Sequence, residues 1–253
     1  MLLQQTLTRL RELRLSGMAD ALEEQQALPD VRGLSFEDRL TLLVEREATP
    51  RCQDRRQTQL LRQAKLRLPA SIEDIDFRSP RGLDRSVILR LASCDWIQNH
   101  QVVLITGATG TGKTYLACAL AQAACRQGLS SRYFRLPRLI DDLARARADG
   151  SYPKLMDRLQ RTHLVAIDDY GLAPLTQTER RDLLEIIEDR TGRRATLVTS
   201  QLPFEHWHDV VGDATFADAI LDRLVLHAHR ITLKGASMRR KDPKNPSPKT
   251  ASA

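Results

Sequence analysis

The stretch VVLITGATGTGKT, Val102–Thr114, decides the fold. Its first five residues read as a buried strand. They run into GATGTGKT, with Gly107, Gly112, Lys113 and Thr114 at the positions of the P-loop pattern. A helical pattern, KTYLACALAQAACRQG, follows and stops at Gly128. Glycines allow the backbone of Gly107, Ala108, Thr109, Gly110, Thr111 and Gly112 to turn its N–H groups toward phosphate oxygens. The helix start at Lys113, Thr114 and Tyr115 adds the positive end of its dipole. Lys113 is placed to reach β- and γ-phosphates, and Thr114 to offer a hydroxyl to Mg²⁺. A nucleoside triphosphate is the expected ligand.

Downstream, LVAIDDYG, Leu164–Gly171, is a second apolar run that ends on two adjacent carboxylates. Burying such a pair is costly unless something binds it. At the C-terminal end of a strand beside the P-loop, Asp168 is expected to hold Mg²⁺. Asp169 is then the candidate for orienting or deprotonating the attacking water, the alternative being a cap for the next loop. ATLVTS closes on Thr199 and Ser200, followed by Gln201, polar groups that either touch the γ-phosphate or merely finish a strand. Arg223, in AILDRLV, projects from a helix with apolar neighbours. It suits an arginine finger supplied in trans, or a surface ion pair with Asp218 or Asp222.

Working outward, RYFRL and HRITL are further strands, and helical patterns separate the five. The helix PRLIDDLARARADG carries Pro137 at its start and Gly150 at its end. Thr176 and Glu179 begin another with a capping box. This alternation predicts an α/β fold with a parallel sheet covered by helices on both faces. Residues 1–68 read as a helical module instead. Leu7, Leu10, Leu13, Met18 and Leu22 fall near one face, and Leu40, Leu43 and Val44 near another. Residues 69–83, with Pro69, Pro80 and Gly82, read as a linker, 84–240 as the α/β core and 241–253 as a disordered basic tail.

The net charge is +7, and it is clustered. Arg51, Arg55, Arg56, Arg62, Lys65 and Arg67 face only Asp54 within 51–67, and seven cations face only Asp242 within 230–249. Such clusters are the footprint of a polyanion, or a solvated helix face and tail. Arg132, Arg135 and Arg138 are further candidates for phosphate contacts. No membrane-spanning run and no signal-peptide pattern is visible, so a cytoplasmic protein is expected. Four cysteines lack CxxC spacing and read as buried thiols.

With these residues in place, the chain resembles the IstB-type transposition helper ATPases of bacterial insertion sequences, AAA+ proteins related to DnaC-type helicase loaders. The likeness runs from LRELRLSGMADAL through the P-loop segment, and through TSQLPFEHWHDVVGD, ADAILDRLV and LKGASMRR. It implies an AAA+ P-loop NTPase core with strand order 5-1-4-3-2, an N-terminal all-helical module, and little or no C-terminal lid. It implies ATP and Mg²⁺ as cofactors, Asp168 as the magnesium aspartate, Arg223 as the arginine finger and Thr199–Gln201 as the sensor I region. Arg239 matches sensor II more weakly. The implied activity is slow, assembly-dependent ATP hydrolysis. The implied partners are duplex DNA bound with little sequence preference, a cognate DDE-type transposase and further copies of the chain, joined through the ATP site. A DnaC-like helicase loader is the alternative. The common AAA+ pattern ends this strand Asp-Glu; here Asp169 stands one methylene shorter.

Overall fold

The computed structural model describes residues 2–27, 34–225 and 228–238, the side chains of 49–53 excepted. It divides into two compact units, one up to Gln59 and one from Leu60. The tail expected to be disordered, and Arg239, lie outside the described residues, as does the Arg51 side chain.

The first unit is helical: α1 (Leu2–Glu12), α2 (Ser16–Ala27) and most of α3 (Phe36–Ala64). The face expected from Leu7 to Leu22 is split, because Arg14 turns the chain at φ +59° between α1 and α2. Leu7, Ala19 and Ala21 are buried, whereas Leu13 is exposed. Ser35 starts α3 as a reciprocal cap: its hydroxyl donates to Asp38 Oδ2 at 2.7 Å and accepts from the Asp38 N–H at 3.1 Å. Phe36, Leu40 and Val44, spaced for one stripe of α3, are exposed.

The second unit adds α4 (Arg85–Ala92), α5 (Asp95–Gln98), β1 (Val102–Gly107), α6 (Lys113–Arg126), β2 (Ser131–Arg135), α7 (Leu136–Ala148), α8 (Tyr152–Arg161) and β3 (Leu164–Tyr170). Beyond these come α9 (Gln177–Arg190), β4 (Ala195–Ser200), α10 (Trp207–Val211), α11 (Ala214–Val225) and β5 (His229–Leu233). The sheet is all parallel in the order β2-β3-β4-β1-β5, the expected order read from the other edge. Its apolar runs are continuous because both faces are covered. Val103, Ile105, Leu164, Ala166, Ala195 and Leu197 pack on the α6 side. Val102, Leu104, Val165, Ile167 and Val198 pack on the side of α7, α9 and α11. The capping box of α9 is complete, with Thr176 and Glu179 each serving the other's backbone. Among the described residues no α-helix follows β5.

Residues 69–83, expected as a linker, form a packed segment. Ala70, Ile72 and Ile75 are buried in the α6-side core, Leu66 packs against it, and Arg81 is 6% exposed. The prolines and Gly82 mark bends in a packed strap, since apolar residues at 70, 72 and 75 need cover as much as a helix face does.

Candidate nucleotide site

The P-loop leaves the C-terminal end of β1, which lies between β4 and β5, the end at which open parallel sheets bind their ligands. Two positions there favour glycine, Gly107 by backbone crowding and Gly112 by its positive φ. A Cβ on Gly107, at φ +147°, would stand 2.4 Å from Leu233 O; one on Gly112, at φ +98°, would stand 2.4 Å from Arg81 Nη1. Arg81 braces the loop from behind: Nη1 donates to Thr111 O at 2.8 Å and Nη2 to Asp76 O at 2.9 Å. The Met238 N–H donates to Gly110 O at 2.8 Å and ties the segment after β5 to the same loop. Lys113 Nζ lies 2.7 Å from Gly107 O and 2.9 Å from Ala108 O, and Thr111 Oγ1 donates to Ala108 O at 2.8 Å. Thr109 donates to Gln201 Oε1 at 2.6 Å.

The adjacent aspartates owe their placement to a β-bulge. Ile167 pairs with Val198 and Tyr170 with Ser200, so Asp168 and Asp169 together oppose Thr199. Asp169 takes φ +65°, a left-handed conformation that an aspartate tolerates better than most residues. The bulge breaks strand alternation, and both carboxylates come within reach of one guanidinium. Arg67 Nη1 lies 3.9 Å from Asp168 Oδ2 and 3.8 Å from Asp169 Oδ2.

Asp168 is 1% exposed and fully engaged. Thr114 Oγ1 donates to its Oδ2 at 2.8 Å, Tyr133 donates to the same oxygen, and Thr199 donates to Oδ1. Burial and the neighbouring carboxylate push the Tyr133 hydroxyl pKa up, so it stays a donor. Asp169 accepts from Arg135 Nε at 2.6 Å, a contact that raises the Arg135 pKa. The hydroxyl of Thr114 beside the carboxylate of Asp168 forms an all-oxygen pair, the donor chemistry that fits Mg²⁺.

A cavity of about 580 Å³ joins these parts, lined by Thr109, Gly110, Lys113, Thr114, Asp169 and Gln201 among others. That volume is ordinary for a small-molecule site. Tyr115, Arg67, Arg135 and Leu172 also line it.

A model of the IstB-like ATP binding protein family matches residues 8–246. The chain belongs to that family. It is 50% identical over 240 residues to an insertion-sequence ATP-binding protein of Sinorhizobium fredii, covering 95% of this chain and 98% of that one. To the insertion sequence IS21 ATP-binding protein of Pseudomonas aeruginosa it is 30% identical, over 95% of this chain and 89% of that one. Among solved structures, DnaI is similar at a TM-score of 0.57 and 20% identity, over 70% of this chain and 93% of that chain. The DnaC helicase loader is similar at 0.57 and 18% identity, over 68% of this chain and all of that one. These likenesses establish an AAA+ P-loop fold for this IstB-like chain.

Several sequence assignments shift within that fold. Arg67 and Arg135, grouped with the phosphate-contact cations, instead face the aspartates inside the cavity. Ser200 is turned away from it: fully buried, its hydroxyl donates to Tyr170 O at 2.7 Å and accepts from the Leu202 N–H. Of the residues expected to form sensor I, Thr199 donates to Asp168 and Gln201 accepts from Thr109. Arg223 does not line its own chain's cavity; Nη2 donates to Glu188 Oε1 at 3.0 Å and Nη1 to Ala219 O at 2.8 Å. The partner is Glu188, not the sequence neighbours Asp218 or Asp222. Arg138 is exposed and reaches Asp141 at 4.0 Å; Arg132 lies in a groove beside Arg158. Arg55, Arg56, Arg62 and Lys65 are exposed. Arg81 and Tyr133 carried no sequence signal for the site, because each reaches it across the fold.

Proposed function

We propose that this IstB-like protein is an ATP-dependent DNA-binding helper of transposition. The observation that carries the reading is the cavity lined by the P-loop, Thr114 and Asp169, with Asp168 hydrogen-bonded to Thr114 just behind it. ATP seats its phosphates on the loop N–H groups and Lys113. Thr114 and Asp168 would hold Mg²⁺, which would supply charge neutralisation to the phosphates. Thr199 keeps Asp168 oriented. Asp169 orients or deprotonates water, and it must first exchange the Arg135 contact, which occupies its Oδ2. The shorter side chain and that contact together favour slow hydrolysis. Arg223 of one subunit completes the site of the next, so hydrolysis depends on assembly.

The exposed cations of α3, together with the basic residues that follow β5 in the sequence, contact the phosphates of duplex DNA, with little dependence on sequence. The ATP-bound assembly recruits a cognate transposase to the DNA it holds, and hydrolysis releases it. The test is equilibrium binding to a random duplex across a salt series, with and without an ATP analogue. Affinity should fall steeply with salt and rise with the analogue. Binding indifferent to both overturns the reading.

A further inference from the structure

Arg67 sits three residues past the last residue of α3, after Lys65 has ended the helix at φ +50°. Charge clustering alone groups it with the cations of that helix. Its position separates it from them. Its guanidinium is within 4 Å of both Asp168 and Asp169, and it lines the cavity with Lys113 and Thr114. The chain beside it is held by packing: Leu66 lies against the α6-side core, and Ala70 is buried in it. The side chain is 41% exposed, open to the cavity rather than sealed beneath it.

The Asp168 oxygen nearest Arg67 is the one that accepts the Thr114 hydroxyl. Thr114 and Asp168 would hold the cation that offsets phosphate charge in P-loop sites. Arg67 lies beside that pair, together with Asp169. A guanidinium is suited to bind a phosphate through two donors at once.

We propose that Arg67 is a γ-phosphate ligand supplied in cis, which distinguishes a nucleoside triphosphate from a diphosphate at the end of helix α3. The inference rests on the ATP reading of the cavity. Held by the two aspartates in the arrangement seen here, Arg67 shifts to the terminal phosphate when a triphosphate binds. The state of the nucleotide thereby reaches the residues that follow α3, the helix that carries Arg55 and Arg62.

The full chain, as wild type, Arg67→Ala and Arg67→Lys, would be titrated with Mg²⁺ and either a non-hydrolysable ATP analogue or ADP. Thermal unfolding of each variant confirms that it is folded. Arg67→Ala should weaken the ATP analogue about tenfold or more, from the loss of one charged hydrogen-bonding group. ADP affinity should change by less than about twofold on the same scale, and Arg67→Lys should recover part of the loss. The variant's DNA affinity without nucleotide should keep the wild-type salt slope, while its response to the ATP analogue shrinks. Equal weakening of ATP analogue and ADP overturns the proposal. So does unchanged nucleotide affinity with a reduced salt slope, which would return Arg67 to the DNA contacts. A wild type that binds no triphosphate removes the ATP reading itself, a result distinct from either.

Discussion

Arg55 and Arg62 on α3 are exposed, and neither has a carboxylate partner among the described residues. In the α/β unit, Arg67, Arg81, Arg135 and Arg190 each face named partners. Arg190 is the extreme case at 1% exposed: its guanidinium donates to Thr196 Oγ1, to Thr162 O at 3.0 Å, and to the carbonyls of Leu159 and Ala195. The same residue type thus does two kinds of work. Where it is buried it replaces missing backbone partners, and where it is exposed it leaves net charge available to a polyanion.

The largest expected effect tests whether Arg223 belongs to a third class, a cation for a neighbouring subunit. Arg223→Ala should lower assembly-dependent ATP hydrolysis by a factor on the order of 10³ or more. ATP affinity of the isolated subunit should hardly move, because Arg223 is absent from its own cavity lining. Mixing Arg223→Ala with Lys113→Ala subunits should recover part of the rate, each supplying what the other lacks. A normal rate in the single variant would leave Arg223 only its ion pair with Glu188.

Next in size is the buried arginine. Burial and the nearby Arg194 push the Arg190 pKa down to about 9, still above neutral pH, so the charge is retained inside. Arg190→Met should cost about 3–5 kcal/mol in a denaturant titration, because several carbonyls lose their donor together. An unchanged midpoint would mean that water or a shifted backbone takes the donor's place. Lys113→Ala follows, with ATP-analogue affinity falling roughly 100-fold, the loss of charged hydrogen bonds at about 1.5–3 kcal/mol each. Calorimetric titration measures it.

This contrast also marks how far the sequence was readable. The strand order follows from the resemblance, and the strands and P-loop from periodicity and glycine spacing. The Thr176–Glu179 box lies within one turn, so local reading found it. The bulge that turns Asp169 into the cavity has no such signature, since it depends on pairing between β3 and β4. The place of Arg67 beside the aspartates is hidden from the sequence for a related reason. Counting cations in a window does not reveal that the helix ends at Ala64 and that the next residues fold over α6. Likewise the prolines within 69–83 suggest a linker, although Ala70, Ile72 and Ile75 carry its packing.

The smallest predicted effect is the most direct test of the contrast. Arg62→Gln removes one exposed cation near the end of α3 without touching the cavity. If α3 contacts DNA phosphates, the slope of log affinity against log salt should become shallower by about 0.9, and affinity should weaken several-fold alike on unrelated duplexes. Nucleotide affinity should stay at the wild-type value. Arg135→Gln should do the reverse, leaving the salt slope intact and altering hydrolysis through Asp169. If Arg62→Gln left the slope unchanged while Arg135→Gln reduced it, the DNA-facing cations would lie on the edge of the sheet rather than on the helix.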